Sequence, residues 1–296
     1  MKKHIFSGCA TALISPFTAD GKEVDYSSFE KIVNFQIENS IDALVVAGTT
    51  GESPVLTSEE KTELIKIAKS SAGNNIPVIA GTGSNSTIEA VKKSNEAEKQ
   101  GVNGLLIVTP YYNKCSQEGL INHYFYIADR VSTPIIVYNV PSRTGMTVKA
   151  ETYKALSEHK NIIAVKEAST DIGEIIKSIS LCGDLLSFYS GNDDLTIPLM
   201  SFGADGLISV TSNLIPGIMK KITLFCNNDD FSNANKLQKK YQKLINAMFC
   251  DINPIPIKYA CSKLQLNGNY FRAPLTPLTE NKEVFIENIL SEYELI

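Results

Sequence analysis

The sequence is poor in residues that hold metal ions: its three histidines, His4, His123 and His159, lie far apart and show no metal-ligand spacing. A basic surplus is also missing. Lysine and arginine number 28 against 32 aspartates and glutamates, giving a net charge of −4 and no electrostatic footprint for a phosphate backbone. Zinc and nucleic acid are thereby disfavoured as partners. No stretch approaches the roughly 20 apolar residues that span a bilayer, so no membrane partner is expected either. The opening Met1-Lys2-Lys3 and the following Phe6-Ser7-Gly8-Cys9 look faintly like a lipoprotein signal. Only Ile5 and Phe6 separate the charges from Ser7, however, against the roughly 7–15 apolar residues an export signal needs, and the segment reads as a first strand. The six cysteines have no short paired spacings and are too few for a disulfide scaffold, which favours reduced thiols and a cytoplasmic location.

What is present suits one large core. A chain of 296 residues with 43% hydrophobic content can form a single barrel domain, and its charged residues are spread along it and not massed in tails. Eight short apolar runs stand at 8–13, 43–47, 78–80, 105–108, 135–138, 162–165, 186–189 and 207–210. Between them lie amphipathic stretches such as 27–39, 58–72 and 87–100, one opened by the capping signal Thr57-Ser58-Glu59-Glu60. The recurrence, roughly every 20–36 residues, is the scale of one βα unit. Runs that are apolar throughout mean strands of a parallel sheet covered on both faces, and eight of them favour closure. The expected fold is therefore α/β, a (β/α)8 TIM barrel. An open doubly wound sheet is the competing architecture, but Ile14-Ser15-Pro16-Phe17 after the first run lacks the glycine fingerprint of a dinucleotide site, and Gly81-Thr82-Gly83 alone is a weak signal. After Val210 no further strand-like run occurs, and 231–250 and 282–293 read as amphipathic helices. The division expected is a catalytic barrel over 1–225 and a C-terminal helical extension over 226–296.

In such barrels the chemistry sits where strands end. Lys166 directly follows the run Ile162-Ile163-Ala164-Val165 and should enter the barrel mouth. Desolvation by apolar walls favours a neutral amine, which is a Schiff-base nucleophile. Position alone leaves a second reading open, a lysine paired with Glu167 or capping the next helix. Arg143 is one of only three arginines, with Arg130 and Arg272, and stands in a loop shaped by Pro141 and Gly145. Its planar fork suits a carboxylate, while a surface ion pair would explain it as well. The hydroxyls of Thr49, Thr50, Tyr112 and Tyr138 could bind a carboxylate or relay protons, or simply pack and cap.

Five motifs in order then carry a resemblance. They are Gly48-Thr49-Thr50-Gly51-Glu52-Ser53, Gly81-Thr82-Gly83-Ser84-Asn85, Pro110-Tyr111-Tyr112-Asn113-Lys114, Tyr138-Asn139-Val140-Pro141-Ser142-Arg143-Thr144-Gly145 and Val165-Lys166-Glu167-Ala168-Ser169. With them the chain resembles the dihydrodipicolinate synthase family of pyruvate-dependent Schiff-base lyases and aldolases. The resemblance implies condensation of pyruvate, held as an imine on Lys166, with L-aspartate 4-semialdehyde, the first committed step toward diaminopimelate and lysine. No cofactor beyond that covalent imine is implied. Tyr138 would act in proton transfer over the imine, and Thr50 would link it to Tyr112, which in the family reaches in from a neighbouring subunit. Thr49 and Thr50, with backbone near Ile208, would bind the pyruvate carboxylate, Arg143 would hold the semialdehyde carboxylate, and Gly191 matches a glycine near the site. A homo-oligomer is implied, a tetramer built as a dimer of dimers.

Two relatives by chemistry compete, an N-acetylneuraminate lyase and a 2-keto-3-deoxy sugar acid aldolase. Thr49 stands where the sialic-acid lyases resemble one another in having serine, and Arg143 where the sugar-acid enzymes generally lack arginine. A non-catalytic regulator or binding protein on the same barrel is a third reading, and it would be expected to lose Lys166 or Tyr138. Family members inhibited by lysine bind it with residues matching Ser53, Asn85, Glu89 and Tyr111, and have two histidines where this chain has Ser58 and Lys61. The charge of Lys61 opposes a cationic ligand, so weak or absent lysine feedback is expected.

Overall fold

The computed structural model describes residues 2–296. Its strands are β1 (Gly8–Ala12), β2 (Ala43–Val46), β3 (Val78–Gly81), β4 (Gly104–Val108), β5 (Ile135–Asn139), β6 (Ile162–Glu167), β7 (Ser187–Ser190) and β8 (Gly206–Ser209). All pair in parallel in chain order, and β8 returns to β1, so the sheet closes as the eight apolar runs imply. Each strand overlaps the run expected to form it.

The lack of alternation in these runs has a direct cause, because each strand supplies two cores. Ala10, Val45, Ile79, Leu106, Ile136 and Ile208 fill the barrel interior. Their neighbours Leu44, Val46, Leu105, Ile107, Val137 and Leu207 face outward into the layer shared with the helices. Burying each such side chain contributes about 1.5–3 kcal/mol, so neither face tolerates a polar residue without a partner. Among the surrounding helices, Ser58–Ala72 starts with a complete capping box in which the Thr57 side chain accepts from Glu60 N while the Glu60 carboxylate accepts from Thr57 N.

The floor of the barrel departs from expectation. The residues before Gly8 are outside β1 and serve as a plug instead of a strand. Phe6 is buried beneath the strands and stacks on Tyr189, with ring centroids 4.2 Å apart, and the Tyr189 hydroxyl donates to Phe6 O at 2.7 Å. Asp205, just before β8, fastens this segment by accepting from Gly8 N at 3.1 Å through its backbone and pairing with Lys2 at 2.6 Å.

Helix Pro216–Asn227 packs on β1, so position 225 falls inside a helix. Beyond it come helices Phe231–Ala247, Ile255–Lys263 and Glu280–Glu292. The first and last match the amphipathic segments seen in the sequence. Helix Ile255–Lys263 was invisible to periodicity because 255–261 are all buried, which leaves that stretch no polar face to set a period. No helix among the described residues is long and apolar enough to cross a membrane.

Candidate active site

Lys166 lies within β6, paired in register with Tyr138 of β5 and Tyr189 of β7. Successive strand residues point to opposite faces, so Lys166 enters the barrel and Glu167 leaves it. The carboxylate of Glu167 is taken up on the outer side. It accepts from Asn139 Nδ2 at 2.9 Å, from the Tyr153 hydroxyl at 2.8 Å and from Ser169 N at 2.8 Å. Burial pushes its carboxyl up to about 7, against the pull of those donors. The pairing of Lys166 with Glu167 left open by the sequence is thus ruled out. Lys166 is 5% exposed, its ammonium nitrogen is 4.5 Å from the centroid of the Tyr138 ring, and it forms no ion pair among the described residues.

The Tyr138 ring beside it also lines a cleft of about 570 Å³, whose wall includes Thr49, Leu106, Val140 and Arg143. Arg143 is carried on the short helical turn Pro141–Thr144, which Gly145 ends at φ +70, a conformation that costs glycine nothing. The exposed guanidinium is oriented from the C-terminal extension, since Nη2 donates to Asn253 O at 2.9 Å.

The loop after β2 is held in an uncommon shape, with Ala47 at φ 53 and Glu52 at φ 52 flanking Gly48-Thr49-Thr50-Gly51. At Gly81, a Cβ would come within 2.2 Å of Ala47 O, so glycine is what lets β3 pass this loop. Thr49 reaches the cleft. Thr50 does not line it: the residue is 2% exposed and its hydroxyl accepts from Asn253 Nδ2 at 3.1 Å. Glu52 turns inward to Lys258, whose ammonium is 2.6 Å from Glu52 Oε1, donates to Tyr270 O at 2.7 Å, and lies over the rings of Phe17 and Phe271. Burial lowers the Lys258 ammonium to about 8 and raises the Glu52 carboxyl, so both partners lean toward neutrality despite their pairing.

The cleft wall therefore gathers Tyr138, Thr49 and Arg143, with Lys166 buried against the Tyr138 ring; neither Lys166 nor Thr50 is itself among the residues lining it. Ile208 is fully buried in the barrel interior. Gly191 donates its N–H to Glu167 O at 2.7 Å, and a Cβ there would meet the Cβ of Ala168 at 2.7 Å, so it packs against the end of β6. Tyr112 is absent from the cleft wall. It is 93% exposed at φ +70, a strained backbone for a bulky residue with its ring in solvent. Of the residues named for a lysine site, Ser53, Ser58, Lys61 and Tyr111 line the same cleft, whereas Asn85 and Glu89 do not. Sequence reasoning missed Asn253 and the Glu52–Lys258 pair. The signal for the pair was a lone lysine in the apolar stretch Ile255-Pro256-Ile257-Lys258-Tyr259-Ala260; Asn253 offered only an Asn-Pro turn.

A buried lysine without a counter-ion, beside a tyrosine and beneath an arginine at the strand ends of a closed barrel, is the constellation of an amine-nucleophile enzyme. The sequence model of the "Dihydrodipicolinate synthetase family" matches residues 5–293. A 4-hydroxy-tetrahydrodipicolinate synthase of Trichlorobacter lovleyi is 44% identical over 99% of this chain and 100% of its own. Another, from Clostridium acetobutylicum, is 44% identical over 99% of each. The crystal structure of dihydrodipicolinate synthase from Thermotoga maritima superposes with a TM-score of 0.97 at 40% identity, covering 99% of this chain and 100% of that one. This chain belongs to the dihydrodipicolinate synthetase family.

Proposed function

We propose that the chain is a 4-hydroxy-tetrahydrodipicolinate synthase, condensing pyruvate with L-aspartate 4-semialdehyde in the route to diaminopimelate and lysine. The observation that carries the chemistry is Lys166, buried near the C-terminal end of β6 beside Tyr138 with no carboxylate paired to it. The neutral amine attacks the 2-oxo carbon of pyruvate, and loss of water leaves an imine. Removal of a proton from the methyl carbon gives an enamine, which adds to the aldehyde carbon of the second substrate. The amino group of that substrate then displaces Lys166 from the imine carbon, closing the ring and freeing the enzyme. Tyr138, next to the ammonium, is the group for the proton transfers. Thr49 supplies a hydroxyl to the pyruvate carboxylate at the wall. Thr50, whose hydroxyl oxygen accepts from Asn253 and whose proton stays available to donate, links Tyr138 to Tyr112 in the relay. Arg143, with its guanidinium pinned at Asn253 O and the rest of its fork free, receives the semialdehyde carboxylate.

Tyr112 completes the relay from a second copy of the chain. Its full exposure supports this role, since a strained, unpacked tyrosine gains contacts only from outside its own subunit. The working unit is accordingly a homo-oligomer, with a dimer as the catalytic minimum and a dimer of dimers as the assembly, in the cytoplasm. Reduction with borohydride in the presence of pyruvate should trap an adduct that peptide mass mapping locates at Lys166. An adduct elsewhere, or none, overturns the mechanism; a trapped adduct without turnover of aspartate semialdehyde overturns the second substrate alone.

A further inference from the structure

The two strands that carry Tyr138 and Lys166 are also a pair with a broken register. β5 and β6 pair Ile135 with Ile162 but Ile136 with Ala164, so Ile163 is an extra residue in β6. A one-residue slip turns every later side chain to the opposite face, and a bulge interrupts the ladder that would resist it. Tyr138 faces Lys166 only if the register is fixed again beyond the bulge. The next pair, Asn139 with Glu167, does this from the outer face, where Asn139 Nδ2 donates to both carboxylate oxygens of Glu167, at 2.9 and 3.1 Å.

Both ends of this clamp are themselves held. Asn139 Oδ1 accepts from Val148 N at 3.2 Å, just past the turn that carries Arg143. The Glu167 carboxylate also accepts from the Tyr153 hydroxyl and Ser169 N, which leaves it one orientation. Asn139 and Glu167 are 1% and 3% exposed, in a layer where the same strands otherwise present Val137 and Val165. An apolar pair would fill that space without burying a carboxylate. What it would not supply is direction, because hydrogen bonds to a carboxylate fix the positions of donor and acceptor and an apolar contact does not.

We infer that Asn139 and Glu167 are positioning residues for the condensation: from behind the sheet they set the register that holds the Tyr138 ring against Lys166, without touching substrate themselves. The inference rests on the reading of Lys166 as the imine-forming amine and of Tyr138 as its proton-transfer group.

Rapid mixing of the full-length oligomer with saturating pyruvate, followed by borohydride quenching at timed intervals, gives two readouts: the rate constant for adduct formation on Lys166 and the final amount trapped. Loss of folded protein lowers only the amount, whereas displacement of Tyr138 from Lys166 lowers the rate constant. Asn139→Asp sets two carboxylates face to face and should slow adduct formation about tenfold or more. Adding Glu167→Gln returns a donor to the pair and should recover most of that loss. Tyr124→Phe is the control, since it removes a fully buried hydroxyl bonded to Ile107 O at 2.9 Å; it should lower the unfolding midpoint and leave the rate constant as it was. An unchanged rate constant in Asn139→Asp, or no recovery in the double variant, overturns the inference. If Asn139→Asp does not fold, Asn139→Ser, too short to reach the carboxylate, carries the comparison, and an unchanged rate constant there counts against the clamp. Absence of any adduct in the unsubstituted protein overturns the reading of Lys166, and the inference with it.

Discussion

Lys166 and Lys258 are both buried, 5% and 0% exposed, and their surroundings differ in every other respect. Lys258 is held in place by partners: the Glu52 carboxylate, the Tyr270 carbonyl and the faces of two aromatic rings. Lys166 has only the Tyr138 ring, which itself lines the cleft. Burial alone thus does not mark a nucleophile. A lysine tied to a carboxylate and a carbonyl is a strut between the β2 loop and the C-terminal extension, whereas one with no such partner is available for covalent chemistry.

The largest effect should follow Lys166→Ala, which deletes the covalent step and should lower kcat by about a thousandfold or more with an unchanged unfolding midpoint. Residual activity of a few per cent would erase the distinction between the two lysines. At the other lysine the expected loss is of stability. Lys258→Met leaves Glu52 buried and alone, costing about 3–5 kcal/mol in denaturant unfolding, while Lys258→Met/Glu52→Gln should cost less because neither charge is stranded. Equal losses would mean that the pair matters only for packing.

Tyr138→Phe should reduce kcat by about a hundredfold with little change in KM for pyruvate, since the hydroxyl acts on protons and the ring remains beside Lys166. An effect confined to KM would assign the hydroxyl to binding. Arg143→Ala should raise KM for aspartate semialdehyde by about tenfold and that for pyruvate far less. A matching rise for both substrates would make the arginine structural. The smallest effect concerns free lysine, expected to leave initial rates unchanged at millimolar concentration because Lys61 and Lys93 both face the cleft that would receive it. Half-inhibition well below about 1 mM would show that this charge is accommodated.

The barrel was legible because its signal is local: eight runs apolar on both faces announce covered parallel strands, and the capping box at Thr57 marks a helix start from four residues. Lys166, Tyr138 and Arg143 drew attention by standing at or just past the ends of apolar runs, but position left their roles open and the resemblance carried by five ordered motifs assigned them. Contacts across long sequence separations left no such trace. Thr49 and Thr50 are adjacent and chemically identical, and the contact that sets them apart, Asn253 on Thr50, comes from some 200 residues away. Lys61 was seen as an isolated charge, and the nearby Lys93 emerged only when two helices were set side by side. The plug at 2–7 was read as strand because a short apolar pair carries no mark of the Tyr189 ring waiting for it.

Asp205 gives that plug a temporal meaning. Through its backbone and side chain it joins Gly8, Lys2 and Phe188, so residues at the start of the chain find their seat only after β7 and the approach to β8 exist. Contacts of such long range are slow to form, because loop closure must precede any return from them. The residues that precede β1 are therefore among the last to be buried, and until then the underside of the barrel stays open to water. Asp205→Asn should show this as slower recovery of native signal after denaturant dilution, at a site far from any substrate.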